Sequence, residues 1–248
     1  MYICEKEEEI VYWAIGYLGI FLASFWVIMP ALSPYYRTWN TGDKAYWCSS
    51  IISTVNAIYI VKLGIDIGFN AGVGFFVNTL PLTWSSPASM YMGRSLCGYL
   101  LGDLVVTLYY NKLCKGYEMI LVHHIAGLYC FLSIMSYDLG HSMMLSSSLL
   151  EVTNPVTNLR FMLDKMGYKV SHPRLYFLVG LTMTVMYFVV RICFYTYAGI
   201  LFFLTERHIL HEQDMAFCCM VYIGYTTGVT LQYVWFQMIV KGLYKLLT

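Results

Sequence analysis

Charged side chains are scarce in this sequence of 248 residues. The 15 Lys and Arg and the 14 Asp and Glu make up 12% of the chain, against ~25% in a typical soluble domain. So few charges cannot cover a water-soluble fold of this size. The net charge of +1 excludes the basic surface of a nucleic-acid-binding protein, and 59% hydrophobic residues exclude a disordered chain. A membrane protein with several helices remains, because lipid then solvates its outer surface.

Cysteine motifs are missing as well. The eight cysteines are scattered, with no CxxC pair and no histidine at zinc-ligand spacing, so neither a disulfide framework nor a metal site is predicted. The run ERHILHEQD, residues 206–214, contains two histidines, but its order is not HExxH. We interpret it as a solvated loop and expect no bound metal or cofactor.

Hydrophobic stretches long enough to span a membrane, about 20 residues each, occur seven times. The third is short and the fifth only weakly hydrophobic, so six spans is the alternative. Acidic residues such as Glu5 and Glu7 precede the first span instead of a basic region, which indicates a retained helix and not a signal peptide. The fold class is therefore all-α, a polytopic membrane helix bundle. Its predicted spans are residues 10–29, 46–65, 95–110, 117–138, 142–163, 175–197 and 215–240.

Basic residues predict the orientation, because cytoplasmic loops collect Lys and Arg. With seven spans, one set of loops and ends carries nine of them and the opposite set carries three. The N-terminus is therefore predicted to be lumenal or outside, and the C-terminus cytosolic. The nine are Arg37, Lys44, Lys112, Lys115, Lys165, Lys169, Arg174, Lys241 and Lys245, and the three are Lys6, Arg94 and Arg207.

Two further features concern packing. The connection 66–93 is rich in Gly, Pro and Ser but keeps several large apolar residues, which favours a lumenal cap or re-entrant loop over a free linker. Gly98 and Gly102 form a GxxxG in the third span. This motif permits close helix packing, either within the chain or in a homodimer. Lys62 and Asp66, one turn apart, predict a local salt bridge.

Ionisable residues inside the membrane are costly and are therefore functional candidates. Asp103 precedes the cytosolic end of its helix by seven residues, and His124 follows the cytosolic start of the next helix by seven. Both are then about 10 Å deep, at one level of an antiparallel hairpin. A carboxylate beside an imidazole orients it as a general base. His123 and His124 point about 100° apart on a helix, so we expect one of them to face Asp103.

The fifth span carries the densest polar run. Glu151, Asn154 and Asn158 share one helical face, and Pro155 removes a backbone donor, which predicts a kink and a free carbonyl at Glu151. We infer a polar cavity that opens towards the cytosolic leaflet. Arg191 falls in the lumenal half, where we expect it to extend towards the interface, with pairing to Glu151 as the alternative. Under a purely structural interpretation, these polar groups only bridge helices.

Four runs together resemble the TLC domain of multi-pass membrane proteins: GYLLGDLVVTLYY, VHHIAGLY, LLEVTNPVTNLRFMLDKMG and VVRI. The resemblance covers about residues 38–240, preceded by an acidic lumenal segment, 1–9, and a first span with its loop, 10–37, and followed by a cytosolic tail, 241–248. Asn56 stands where many members have a histidine, and the ceramide synthase signature is absent. By resemblance, the family's polar core is Asp103, His123, His124, Glu151, Asn154, Asn158 and Arg160.

The resemblance implies a role in lipid homeostasis of the endoplasmic reticulum or another endomembrane. If the protein is an enzyme, we expect acyl transfer from fatty acyl-CoA to a phospholipid or sphingolipid acceptor, with membrane lipids and acyl-CoA as partners. His123 or His124 would then be the base, oriented by Asp103 or Glu151. Asn154 and Asn158 would stabilise the oxyanion, and Arg160 and Arg191 would bind substrate. The alternative is a non-catalytic lipid-binding or cargo-trafficking receptor that uses the same cavity.

Overall fold

Long helices form almost all of the computed structural model, which describes residues 7–33, 35–110, 113 and 116–247. Within these residues there are seven long helical segments and no strand, which confirms the predicted all-α class. Four of the seven, α1, α2, α4 and α6, are long and apolar enough to cross a membrane. The segments are α1 (Glu7–Leu32), α2 (Thr41–Asn70), α3 (Pro87–Tyr109), α4 (Tyr117–Tyr137), α5 (141–165), α6 (Pro173–Thr205) and α7 (Met215–Leu247).

Capping residues extend α2 and α3 beyond their apolar stretches. The side chain of Asn40 accepts a hydrogen bond of 2.8 Å from the Asp43 N–H and so starts α2. Ser86 and Ser89 form a capping box at the start of α3. The third helix is therefore 23 residues long and begins eight residues before the predicted span, 95–110. Hydropathy shows only the part of a helix that lies in lipid, whereas polar caps determine where it begins.

Three of the helices are interrupted without being broken. Residues Ser24–Ile28 of α1 and Tyr187–Phe194 of α6 are π-helical, and Leu150–Thr153 of α5 is a 3-10 turn. In that turn the Asn154 N–H donates to the Glu151 carbonyl. The predicted free carbonyl at Glu151 was therefore wrong, because the tighter 3-10 turn supplies a donor in place of the one that proline removes.

Six of the helices form a closed ring. Around it α2 contacts α3, α3 contacts α4, α4 contacts α7, α7 contacts α6, α6 contacts α5, and α5 returns to α2. The remaining helix, α1, packs outside the ring against α3. The ring places one face of each of the six helices around a common interior.

Helices α1 and α3 approach each other closely at Gly98 and Gly102. A Cβ on Gly98 would overlap with the Trp13 side chain and lie 2.8 Å from the Ile10 carbonyl oxygen, and one on Gly102 would lie 3.2 Å from the Ala14 carbonyl oxygen. The GxxxG therefore serves packing within the chain, which was one of the two predicted uses. A homodimer through this face would have to displace α1, and it stays an untested prediction.

Ion pairs mark the two ends of the bundle. Arg94 and Glu9 lie 2.7 Å apart and join the starts of α3 and α1, and Lys165 and Asp43 lie 2.6 Å apart and join the end of α5 to the start of α2. These pairings suit helices that alternate in direction. Lys62 and Asp66 form the predicted local salt bridge, at 2.5 Å. Cys4, Glu5, Lys6, Lys112 and Lys115 lie outside the described residues.

The connection between α2 and α3 covers one end of the ring. It spans residues 71–86, shorter than the predicted 66–93, because both flanking helices extend into it. Val77 and Leu82 are fully buried. The backbone of Leu82 accepts from the Gly140 N–H at 2.8 Å and donates to the Glu206 carboxylate at 3.1 Å. The segment is therefore a packed cap, as the sequence indicated.

Candidate functional site

A cavity of about 710 Å³ lies inside the ring. All six ring helices line it, and none of its lining residues comes from α1. The lining runs from Gly116, just before α4, to Ile134 near its end, about 27 Å at the rise of a helix. That length approaches the ~30 Å hydrocarbon thickness of a bilayer. The cavity is therefore long enough to hold an extended acyl chain.

The two ends of the cavity differ in character. Asp164, Tyr176 and Arg160 lie at the end that the sequence predicts to be cytosolic, which we call the mouth. The opposite end is mostly apolar, with Ser147, Tyr195 and Tyr225 as its polar members. The eight residues predicted to form the site all line the cavity: Asp103, His123, His124, Glu151, Asn154, Asn158, Arg160 and Arg191. The apolar end is lined by Leu96, Leu100, Phe131, Ile134, Met143, Met220 and Val221.

Asp103 and His124, which we call the shallow pair, meet across α3 and α4. The His124 Nε2 lies 3.4 Å from the Asp103 Oδ2, and the Ser49 hydroxyl donates to Oδ1 at 2.5 Å. Because an ionised carboxylate only accepts, the proton of the neutral imidazole belongs on Nε2. The Nδ1 of His124 is buried and has no hydrogen-bond partner in the described part of the chain. The lone pair of Nδ1 is thus not used by any described group of the protein.

His123 does not share this contact. Its ring lies 5.4 Å from the ring of Trp235 on α7, while His124 faces Asp103. The prediction that only one of the adjacent histidines reaches the carboxylate is confirmed. Glu151, the other carboxylate predicted to orient a histidine, pairs instead with Arg191 and Asn154.

Arg191 is the centre of a second group, the deep cluster, formed with Glu151, Thr153, Asn154 and Gln232. Its side chain is only 6% exposed. Its guanidinium donates to Thr153 Oγ1 at 2.6 Å, to Asn154 Oδ1 at 2.6 Å and to Gln232 Oε1 at 3.2 Å, and it lies 3.9 Å from Glu151. The expectation that Arg191 extends to the interface was wrong, because acceptors from α5 and α7 meet it inside the ring.

Three members of these groups were missed by sequence reasoning: Ser49, Thr153 and Gln232. Ser49 was hidden in a serine-rich stretch of α2, and nothing in its own helix pairs it with Asp103. Gln232 lies in the apolar run of α7, where a lone amide is itself a signal for an interhelical hydrogen bond. It also accepts from the Tyr187 hydroxyl at 2.6 Å.

The amides of the fifth span are engaged within the protein. Asn158 Nδ2 donates to the Ser50 carbonyl and to Thr54 Oγ1, both at 3.0 Å, and so ties α5 to α2. Asn154 Nδ2 donates to the Glu151 carboxylate. The predicted oxyanion role of these amides stays a prediction, and it requires that each of them directs an N–H into the cavity. Asn56 lies outside the cavity lining and accepts from Tyr17 at 2.6 Å.

Comparison with known proteins bears on this arrangement. A family model for the TLC domain matches residues 46–241. The chain belongs to the TLC domain family. The match runs from within α2 to within α7, so it includes most of the ring and leaves α1 outside.

Two similar curated relatives carry the same domain in their names. TLC domain-containing protein 4-B of Xenopus laevis is 28% identical over 213 residues, which are 83% of this chain and 77% of the relative. TLC domain-containing protein 4-B of Danio rerio is 25% identical over 204 residues, 82% of this chain and 75% of the relative. The chain is therefore an integral membrane protein whose TLC domain is the ring that encloses the cavity.

Proposed function

We propose that this TLC-domain protein acts in the lipid homeostasis of an endomembrane, such as the endoplasmic reticulum, by transferring an acyl chain from fatty acyl-CoA to a lipid hydroxyl or amine. One observation carries the proposal. A buried imidazole beside a long cavity has Nε2 directed at a carboxylate and Nδ1 without a partner. A general base has this arrangement before it takes a proton from its substrate.

The two ring nitrogens of His124 have separate roles in the proposed reaction. His124 Nδ1 takes the proton of the acceptor hydroxyl or amine as that group attacks the thioester carbonyl. Asp103 stabilises the imidazolium that forms, and Ser49 holds the carboxylate in place. The tetrahedral intermediate collapses, its C–S bond breaks, and Nδ1–H returns the proton to the leaving CoA thiolate. The products are the acylated lipid and free CoA.

The apolar end of the cavity suits the acyl chain. Leu100, Phe131 and Met220 line this end, so an alkyl chain there replaces contact with water by contact with side chains. The shallow pair lies nearer the mouth, where a thioester would be when its chain extends inwards. The reacting groups then lie within reach of the cytosol, where acyl-CoA is soluble.

The test is turnover by the purified protein in lipid nanodiscs. Oleoyl-CoA is supplied with a panel of lysophospholipids and long-chain bases, and released thiol is measured together with acylated product by mass spectrometry. We expect turnover with at least one acceptor and its loss in His124→Gln. If no acceptor is acylated while the protein still retains lipid, acyl transfer is contradicted.

One observation favours a second function, non-catalytic lipid binding. The amides of Asn154 and Asn158, which would stabilise an oxyanion, already have acceptors within the protein. A cavity that only holds a lipid needs no such donors. In that case lipid co-purifies with the protein, and His124→Gln changes neither the amount bound nor the lipid composition of membranes that contain the protein.

A further inference from the structure

The charged residues at the mouth of the cavity differ in the partners that they contact. Asp164 accepts a hydrogen bond of 2.8 Å from the Tyr176 hydroxyl, and the neighbouring Lys165 is paired with Asp43 at 2.6 Å. Arg160 lies one turn before Asp164 on α5 and lines the cavity. Within the described part of the chain no carboxylate lies in ion-pair contact with its guanidinium, and its buried Nε has no hydrogen-bond partner. Arg160 therefore has Asp164 as an acidic neighbour on the same helix but forms no ion pair with it.

The guanidinium of Arg160 is nevertheless held in place. Its central carbon lies 3.2 Å from the ring centroid of Tyr176, so one face is covered by the aromatic ring. Gly180 of α6 lies against the Nε edge, where an added Cβ would come within 3.0 Å of Nε. The two terminal amino groups form the remaining edge of the fork. A planar fork fixed in this way is suited to an oxyanion with two acceptor oxygens.

The depth of Arg160 indicates which oxyanion. It precedes the end of α5 by five residues, so it is about 8 Å along the helix from that end. With 25 residues α5 is about 37 Å long and extends about 4 Å beyond each side of the ~30 Å hydrocarbon layer, so Arg160 lies within about 4 Å of the headgroup boundary. An amphiphile with its chain inside the cavity would place its phosphate at this level. Arg191, by contrast, lies deeper and has acceptors already.

We propose that Arg160 binds the phosphate of an amphiphile whose acyl chain occupies the cavity. The inference rests on the proposed function only in placing an acyl chain there. The phosphate belongs either to a lysophospholipid acceptor or to the CoA of an acyl donor, and both present the same chemistry to the guanidinium. Tyr176 is a positioning residue. Its ring orients the guanidinium of Arg160, and its hydroxyl donates a hydrogen bond to Asp164.

The test compares four ligands with one chain, oleoyl lysophosphatidate, oleoyl-CoA, monoolein and oleate, in equilibrium binding to the purified full-length protein. Arg160→Gln is expected to weaken binding of at least one phosphate-bearing ligand about tenfold or more, since a charge-assisted hydrogen-bonded pair is lost. Monoolein binding stays unchanged. The ligand that depends on Arg160 identifies the source of the phosphate. Arg160→Lys keeps the charge but loses the fork, and an intermediate affinity is expected.

Arg174, an exposed arginine near the same end that does not line the cavity, supplies the matched control. Arg174→Gln should leave all four affinities unchanged. Equal loss for monoolein or oleate in Arg160→Gln, or no loss for either phosphate ligand, would overturn the proposal. If Arg160→Gln does not fold, Tyr176→Phe decides. It keeps the ring but frees Asp164 to compete for Arg160, and unchanged phosphate-ligand affinity would again overturn the proposal.

These binding measurements are independent of turnover. Arg160-dependent binding without acylated product contradicts acyl transfer but not the phosphate site. The opposite result is also informative. If the protein acylates an acceptor but Arg160→Gln binds the phosphate-bearing ligands as well as the unaltered protein does, only the phosphate site is contradicted.

Discussion

The shallow pair and the deep cluster lie in one cavity but differ in how fully their hydrogen-bonding groups are used. In the deep cluster Arg191 has three side-chain acceptors and a carboxylate 3.9 Å away. In the shallow pair His124 has Asp103 on one nitrogen and no partner for the other in the described residues. The free-energy cost of burying a polar group therefore does not by itself identify a functional group in a membrane protein.

The difference assigns separate roles to the two groups. A satisfied cluster joins α5, α6 and α7 and gains nothing from a ligand, so its loss should destabilise the fold. An unsatisfied nitrogen beside a cavity contributes little to folding and gains a partner only when substrate is present. Substitutions in the two groups should therefore separate activity from stability.

The largest expected effect is on turnover in His124→Gln. Removal of the general base should reduce the rate of acyl transfer about 10²–10⁴-fold. The thermal midpoint should change little, because the Gln amide can still donate to Asp103 in place of Nε2 and Nδ1 has no partner to lose. Rates are measured per amount of monodisperse protein in nanodiscs, together with a melting curve.

His123→Gln is the matched control for this substitution. His123 lies on the same helix and also lines the cavity, but it contacts Trp235 instead of a carboxylate. Its turnover should fall far less than that of His124→Gln. Equal losses for the two variants would show that the Asp103 contact does not matter.

The next effect is on stability in Arg191→Met. This change leaves Glu151 buried without its cation and removes three hydrogen bonds, so it should destabilise the fold by about 3–5 kcal/mol. A lower thermal midpoint and a lower yield of folded protein are the measurements. The double variant Glu151→Gln/Arg191→Met should recover part of the loss. A normal melting curve with lost turnover would instead place Arg191 in the chemistry.

A smaller effect is expected from Ser49→Ala. The Ser49 hydroxyl is 2.5 Å from the Asp103 carboxylate, and its loss should lower turnover about tenfold, the value of one hydrogen bond to a charged group. Ser49→Thr keeps the hydroxyl and should retain most activity. If Ser49→Ala and Ser49→Thr have equal rates, the hydroxyl does not position Asp103.

The smallest effect is expected at the exposed pair of Lys62 and Asp66. Both side chains are at least half exposed, so Lys62→Gln should change stability by at most about 1 kcal/mol and leave turnover unchanged. The melting curve and the rate are measured as for the other variants. A loss comparable to that of Arg191→Met would mean that burial does not distinguish the charged groups of this protein.

Hydropathy and spacing were sufficient for the helices and for the shallow pair. The seven segments appear where apolar stretches predict them, and equal depth on consecutive antiparallel helices brought Asp103 to His124. Both predictions depend only on distances along single helices and on one hairpin. The ends of α2 and α3 differed because caps such as Asn40 lie outside the apolar stretch.

The deep cluster could not be predicted in the same way. Arg191 meets Thr153 and Gln232, which are far from it in sequence and reach it only when the ring closes. The pattern along α6 specifies a polar position but not which helices pack beside it. The π-helical stretch that contains Arg191 also changes the face on which it lies.

The most direct test of the shallow pair is a double-mutant cycle in acyl-transfer rate with Asp103→Asn, His124→Gln and both together. If Asp103 acts through His124, the double variant should be no slower than His124→Gln alone, because residues that work as a unit are not additive. Losses that simply multiply, at equal thermal midpoints, would contradict the account.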